Sequence, residues 1–228
     1  MLVGDAAAWA NSFTTFDERL LDRIIEVWPF CLAVLPGQPD EDSVTINLIH
    51  HLGRDPIVRR LCHWIEYQYE PFGLAADGSR YSKGRIDLAA LFDWERERYL
   101  AYECKRLNVT NAGSRSSLAT AYVTQGMMRF ITEQYAEDLP LGCMLGYVMD
   151  GDVAFAMGRL ETAIRAHPPL ALQDNPSMIA SVRSVPRFKT SHTRLGGGLI
   201  EIRHALLSFG GGRLRCREGP SDLRPGVA

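Results

Sequence analysis

The chain has no excess of basic residues: 25 Lys and Arg against 27 Asp and Glu leave a formal charge of −2 and a pI near 6.3. A chain that holds nucleic acid by bulk charge is strongly basic, so any basic surface here is local. Paired cysteines are also missing. The five present, Cys31, Cys62, Cys104, Cys143 and Cys216, are scattered, odd in number and form no C-x-x-C. That pattern excludes a disulfide framework and a cysteine-rich zinc site, and it fits a reducing cytoplasm. The opening "MLVGDAAAWANSF" lacks a basic lead and carries Asp5, so it does not read as a signal peptide. The longest apolar run, around "LPLGCMLGYVM", is too short and too broken by glycine to span a bilayer. No internal repeat is visible. "LGGG" and "FGGGR" lack the spacing and the following helix of a phosphate-cradling loop. The expectation is a soluble cytoplasmic protein with no membrane partner.

What is present is ordinary globular material, 46% hydrophobic and 23% charged, and 228 residues suffice to bury a core. Leu20, Leu21, Ile24, Ile25 and Trp28 recur at helical spacing. "PGQPDED" reads as a loop whose acidic end caps a second helix with Val44, Ile46, Leu48, Ile49 and Leu52 as its apolar face. Alternation predicts a strand over Cys62–Glu70, then strands at "RIDLAALF" and "RYLAYECKRL" joined by the tight turn "DWERE". "GLAADGSRYSKG" and "NVTNAGSRSS" read as turn-rich loops, the second leading into a long helix, "SLATAYVTQGMMRFITEQYAEDL", started by Ser116 or Ser117. A buried strand, "LGCMLGYVM", a helix, "DVAFAMGRLETAIRAH", and strands at "SMIASVRSVPRF" and "GLIEIRHALLSF" follow. This order predicts an α/β fold: a mixed central sheet made of an antiparallel meander plus a crossover helix and a parallel strand, flanked by helices. Residues 1–209 read as one domain with an N-terminal helical elaboration, and 210–228, with little to bury, as a mobile tail.

One strand is chemically odd. In "YLAYECKRL" the apolar residues suit a core, yet Glu103 and Lys105 stand inside it, and charges are seldom buried unless paired or metal-bound. Two residues apart, they share a face, while Tyr102, Cys104 and Arg106 point the other way. The turn near Asp93–Glu97 brings Asp87, on the neighbouring strand, close to Glu103. Two carboxylates plus the carbonyl of Cys104 suit a hard divalent cation such as Mg²⁺, with Lys105 to orient an attacking water. That is a kit for phosphodiester hydrolysis. A solvated face with cross-strand ion pairs worth ~0.2–1 kcal/mol accounts for the charges but not for their apolar neighbours Tyr99 and Ala101.

"RIDLAALF … RYLAYECKRL" resembles the core motif of the PD-(D/E)xK nuclease superfamily, with its restriction-endonuclease-like fold. Asp87 matches the strand-borne Asp, and Glu103 and Lys105 match the E-x-K; Ile86 stands where that family often has proline. The likeness covers roughly Glu41 to Asp150. It implies a Mg²⁺-dependent nuclease, with Mn²⁺ able to substitute, acting on DNA rather than RNA, in a setting such as prokaryotic antiviral defence. It also implies an acidic ligand from the first core helix: Glu41 is the best match, with Glu66 and Glu70 as rivals. The near-neutral charge points further to a partner protein or homo-oligomer that delivers substrate.

The long helix places Tyr122, Gln125 and Arg129 along one side and Val123, Met127 and Phe130 along the other. The resemblance gives Gln125 a catalytic role and Arg129 a phosphate contact; an amphipathic core helix is the plainer reading. Gly126 inside that helix, costing ~1 kcal/mol relative to Ala, signals close approach of a strand. Arg80, Lys83, Arg85 and Arg115 lie in loops and are candidate phosphate contacts, with solvated loop charge as the alternative. His192 and Arg194, in "SHTRLGGG", could reach substrate or help a second proton transfer, but a lone histidine reads first as a structural or surface residue. The other class of function to weigh is a non-catalytic nucleic-acid-binding or assembly subunit that retains the fold.

Overall fold

The structure, a computed structural model, describes residues 6–210, with side chains from residue 12 onward; the tail from 211, including Cys216, lies outside the described residues. The chain opens with helices α1 (Ala6–Val34), α2 (Glu41–Leu52) and α3 (Val58–Leu61). Leu20, Leu21, Ile24, Trp28 and Cys31 of α1 are buried, as their spacing requires. Asp40 caps α2 by accepting from the Ser43 N–H at 2.7 Å, and Glu41 and Asp42 sit in its first turn, where the helix dipole favours acids. Val44, Leu48 and Leu52 are buried, but Ile46, expected on that face, is exposed.

Strands β1 (Trp64–Tyr69), β4 (Ile86–Leu91), β5 (Tyr99–Leu107), β8 (Leu141–Val148), β9 (Ser177–Val182), β10 (Val185–Thr193) and β11 (Leu199–Ser208) form one seven-stranded sheet in the order β1-β4-β5-β8-β11-β10-β9. The pairs are antiparallel except β5–β8 and β8–β11, which are parallel. The expected mixed α/β sheet is therefore present. Two ribbons are added: β2 (Phe72–Leu74) with β3 (Arg80–Ser82), and β6 (Val109–Asn111) with β7 (Ser114–Ser116). Both occupy stretches expected to be loops. Their turns use residues at positive φ, Gly78 in the first and Ala112 and Gly113 in the second. "SMIASVRSVPRF", read as one strand, is two, because Arg183 at φ 52° reverses the chain between β9 and β10.

The crossover from β5 to β8 is helical but shorter than expected. It comprises α4 (Ala119–Ala121), a π-helical turn (Tyr122–Met127) and α5 (Met128–Ile131), and Leu118 rather than a serine occupies its N-cap, at φ 53°. The wider π-turn changes the helical phase, so Tyr122 does not share a side with Gln125: Tyr122 is buried and Gln125 is exposed. Helix α6 (Val153–Arg165) begins at Asp152, which accepts from the Phe155 N–H.

Buried polar networks lie on both faces. On one, Asp17 of α1 pairs with Arg187 and with Arg203 (3.2 Å) and accepts from Tyr102 Oη at 2.8 Å. On the other, Tyr122 meets His204 Nδ1 (3.0 Å), His204 Nε2 meets Thr190 (3.0 Å), Thr190 meets His192 Nε2 (2.7 Å), and His192 Nδ1 meets the Leu170 carbonyl (2.8 Å). His192 is thus structural, as is Arg194, whose guanidinium donates to the Glu137 and Leu139 carbonyls. Among the described residues no helix is long and apolar enough to cross a membrane, and Cys31, Cys62, Cys104 and Cys143 are free and buried.

Candidate active site

The site forms where β4 and β5 part. Their ladder runs from Leu91↔Tyr99 to Leu88↔Tyr102 and goes no further, whereas β5 stays paired with β8 as far as Leu107↔Val148. Two N–H groups of β5 facing away from β8 are therefore left without a strand partner, and side chains take them. Asp87 Oδ2 accepts from Cys104 N at 2.7 Å, and Glu41 Oε2 accepts from Arg106 N at 2.9 Å. Glu41 reaches this spot because the capped start of α2 is aimed at β5, further tied by Arg106 donating to the Pro39 carbonyl at 3.0 Å.

Lys105 lies at the centre. Its Nζ is 2.8 Å from Glu41 Oε1, 2.9 Å from Glu103 Oε1, 3.6 Å from Asp87 Oδ2 and 2.8 Å from the Cys104 carbonyl. Glu103 is 0% exposed, and its Oε1, despite the nearby ammonium, has no well-aligned hydrogen bond. Arg129 Nη1 closes the other side of Glu103 at 3.2 Å. Tyr135, which the sequence did not single out, holds that arginine: its hydroxyl donates to the Arg85 carbonyl and accepts from Arg129. The contact spans 50 residues from Arg85 to Tyr135 and leaves no periodic signal.

Burial sets the titration of these groups. It pushes the Glu103 carboxyl up to about 8, helped by the negative charge of Asp87 and opposed by Lys105 and Arg129. Asp87 is also raised by burial, against the pull of Lys105 and the Cys104 N–H. For Lys105 burial works against the charge, but the carboxylates of Glu103, Asp87 and Glu41 outweigh it and hold the ammonium well above the ordinary lysine range. Burial thus favours the protonated form of Glu103, while the surrounding carboxylates favour the charged form of Lys105.

The donor atoms match a hard cation in kind: carboxylate oxygens from α2, β4 and β5, among them the orphaned buried Glu103 Oε1, and one backbone carbonyl. Among the described residues no set of His, Cys, Asp and Glu side chains stands arranged as a ready cage, since the carboxylates close on the ammonium instead. Space at the site is set by Gly126: a Cβ there would lie 2.6 Å from Met144 Cε and 3.5–3.6 Å from the Cγ atoms of Glu103 and Lys105.

Glu41, Asp87, Glu103, Cys104, Lys105 and Arg129 are thus brought together. Other candidates sit apart. Gln125 points to solvent with no polar contact to the cluster. Arg115 pairs with Asp150 (2.6 Å) and Asp152 (3.0 Å) and lies over the Phe155 ring. The Arg85 side chain is exposed, and only its carbonyl joins the network. Glu66 pairs with Arg96, and Glu70 lines a separate cleft of about 510 Å³ beside Tyr69 and Phe72. Lys83, also on that cleft, pairs with Glu137. No protein-family model, curated protein or solved structure gives a significant match to this chain.

Proposed function

We propose that this protein is a divalent-metal-dependent nuclease with a restriction-endonuclease-like core, in which Glu41, Asp87, Glu103 and the Cys104 carbonyl hold Mg²⁺ or Mn²⁺. The observation that carries the reading is the convergence of these oxygens on Lys105 Nζ where two strands separate. The oxygens come from three elements, α2, β4 and β5, and the ion would take the place that the ammonium holds. When bound, the metal neutralises phosphate charge and acidifies a water. Lys105, whose Nζ the carboxylates hold here, would be released to orient an attacking water and to balance charge developing on the phosphate. Arg129, steadied by Tyr135, offers its guanidinium to a phosphate oxygen. Asp87 and Glu41 keep their grip on β5 through the Cys104 and Arg106 N–H groups and so fix the ligand positions. DNA is the preferred substrate on the motif's resemblance, with a partner protein or second copy for delivery and antiviral defence as the setting.

The test is cleavage of single- and double-stranded DNA and RNA by purified protein with Mg²⁺, Mn²⁺ or EDTA, beside Asp87→Asn and Lys105→Met variants shown to be folded. Metal-dependent cutting should fall at least about 100-fold in each variant, the order lost when one transition-state contact goes. Cutting that survives both overturns the assignment. The second reading, a non-catalytic nucleic-acid-binding subunit, is favoured by the self-neutralised ion cluster; strand binding without cutting under any metal would establish it.

A further inference from the structure

The cleft of about 510 Å³ beside Tyr69 and Phe72 takes no part in the chemistry above. Its size is that of a ligand pocket, about 300–1,000 Å³. Three stretches of chain shape it: residues 69–72 between β1 and β2, residues 95–97 in the turn before β5, and residues 134–139 before β8.

Its charge is one-sided. Lys83 is taken by Glu137, and Arg96 by Glu66 at 2.6 and 2.8 Å. Glu70, Glu95 and Asp138 enter no ion pair among the described residues, and against them the lining sets one unpaired cation, Arg80. Carboxylates gathered on a concave wall focus their field and draw in a positive group. The wall between them is aromatic. Tyr69 and Tyr99 meet edge to face with centroids 5.2 Å apart, and Phe72, 66% exposed, adds an uncovered ring. The cleft already holds one cation in this way. Arg96 lies 4.9 Å above the Tyr69 ring while one of its nitrogens contacts both oxygens of Glu66.

Tyr99 sets a second requirement on the occupant. It is only 8% exposed; its oxygen accepts from the Ala136 N–H at 3.2 Å, but its own O–H has no acceptor among the described residues. Burial pushes its pKa up to about 12, so the proton stays in place. A buried donor left open calls for an acceptor such as a carbonyl oxygen. A polyamine brings positive charge without an acceptor, and a phosphate brings acceptors with the wrong charge. A peptide carrying arginine or lysine brings both. Such a segment would also lie next to the arm that steadies Arg129, since Gln134 lines the cleft and Tyr135 follows it in the chain.

We infer that this cleft docks a basic peptide segment of a partner protein, with an arginine or lysine side chain between Phe72 and the carboxylates of Glu70, Glu95 and Asp138, and a main-chain carbonyl on Tyr99. The inference goes beyond the nuclease reading and does not rest on it.

The test is fluorescence anisotropy of a short fluorescein-labelled peptide in which arginine alternates with glycine, beside the same peptide with citrulline in place of arginine. The citrulline peptide should bind at least about 10-fold more weakly. Glu70→Gln, Glu95→Gln and Asp138→Asn combined should weaken binding of the arginine peptide by about 3- to 150-fold, and Phe72→Ala by about 2- to 5-fold. Arg80→Gln should tighten it by about 1.5- to 5-fold, a change of sign that damage to the fold does not imitate. Asp174→Asn, an exposed acid away from the cleft, controls for bulk charge and should change nothing. No binding of the arginine peptide at about 1 mM, binding that the combined variant leaves unchanged, or equal binding of the citrulline peptide overturns the inference. Spermine that binds as tightly as the peptide in calorimetry also overturns it, and marks a site for small polycations. Peptide binding with no cutting under any metal keeps the dock and removes the nuclease, whereas cutting without peptide binding does the reverse.

Discussion

Glu103 is fully buried between two cations and a second carboxylate, and its proton affinity determines how the site answers to pH. Its folded pKa of about 8 lies above the ordinary 4.5. Between those values the native protein keeps a proton that the unfolded chain has released. Stability from this group is therefore fullest below pH 4.5 and is lost as pH rises through about 8. Glu103→Gln keeps the shape and removes the titration. Its melting temperature should exceed that of the parent by a margin that widens from pH 5 to pH 9, measured by thermal denaturation. Parallel profiles would show that Glu103 is ionised throughout. At this scale the sequence was partly readable. Strand alternation is enough to put Glu103 and Lys105 on one face, and the "DWERE" turn to bring Asp87 beside them. The backbone duty of Asp87 and Glu41, filling N–H groups where the ladder stops, was hidden because strand pairing limits are not written in residue types.

At the scale of elements, Asp17 is the buried acid that ties helix α1 to the sheet. Asp17, 2% exposed, answers Arg187 and Arg203, which are 1% and 8% exposed. Removing one partner of a buried ion pair strands the other, at a cost of about 3–5 kcal/mol. Asp17→Ala should lower the unfolding free energy by that amount in urea titration, whereas a loss under 1 kcal/mol would mean that water reaches the arginines. Nothing in "SFTTFDERLL" distinguishes Asp17 from a surface acid, because its partners lie 170 and 186 residues away. The π-turn was hidden for another reason. Its phase departs from the 3.6-residue period by which helices are read, so the side expected to hold both Tyr122 and Gln125 is split, the first buried and the second exposed. The ribbons β2–β3 and β6–β7 were missed because their strands are three residues each, too short to show alternation.

Over the whole molecule, near-balanced charge leaves binding to a few local cations. If Arg85 and Arg129 carry the phosphate contacts, log K for a single strand should fall against log salt with a slope of about −1.4, from roughly −0.7 per contact. A slope steeper than about −4 would reveal a basic surface that neither residue represents. The mixed sheet order was legible because a meander, a helical crossover and a buried strand occur in that sequence. The placement of β11 beside β8, with β10 and β9 beyond it, was not, since those late strands lack any local mark of their partner. The line of hydrogen bonds from Tyr122 to Leu170 has a direction. The Leu170 carbonyl can only accept, so His192 carries its proton on Nδ1 and accepts at Nε2 from Thr190. Thr190 then accepts from His204 Nε2, and His204 Nδ1 accepts from Tyr122. Both imidazoles are neutral, and burial depresses the pKa of each, His204 well below the ordinary value. One carbonyl at the end of the line thus dictates every proton along it, like a queue in which all must face the same way. A proton added to His192 Nε2 in acid would turn the line about, Thr190 then donating to His204 Nε2 and Tyr122 accepting from His204 Nδ1, so the whole row reverses together.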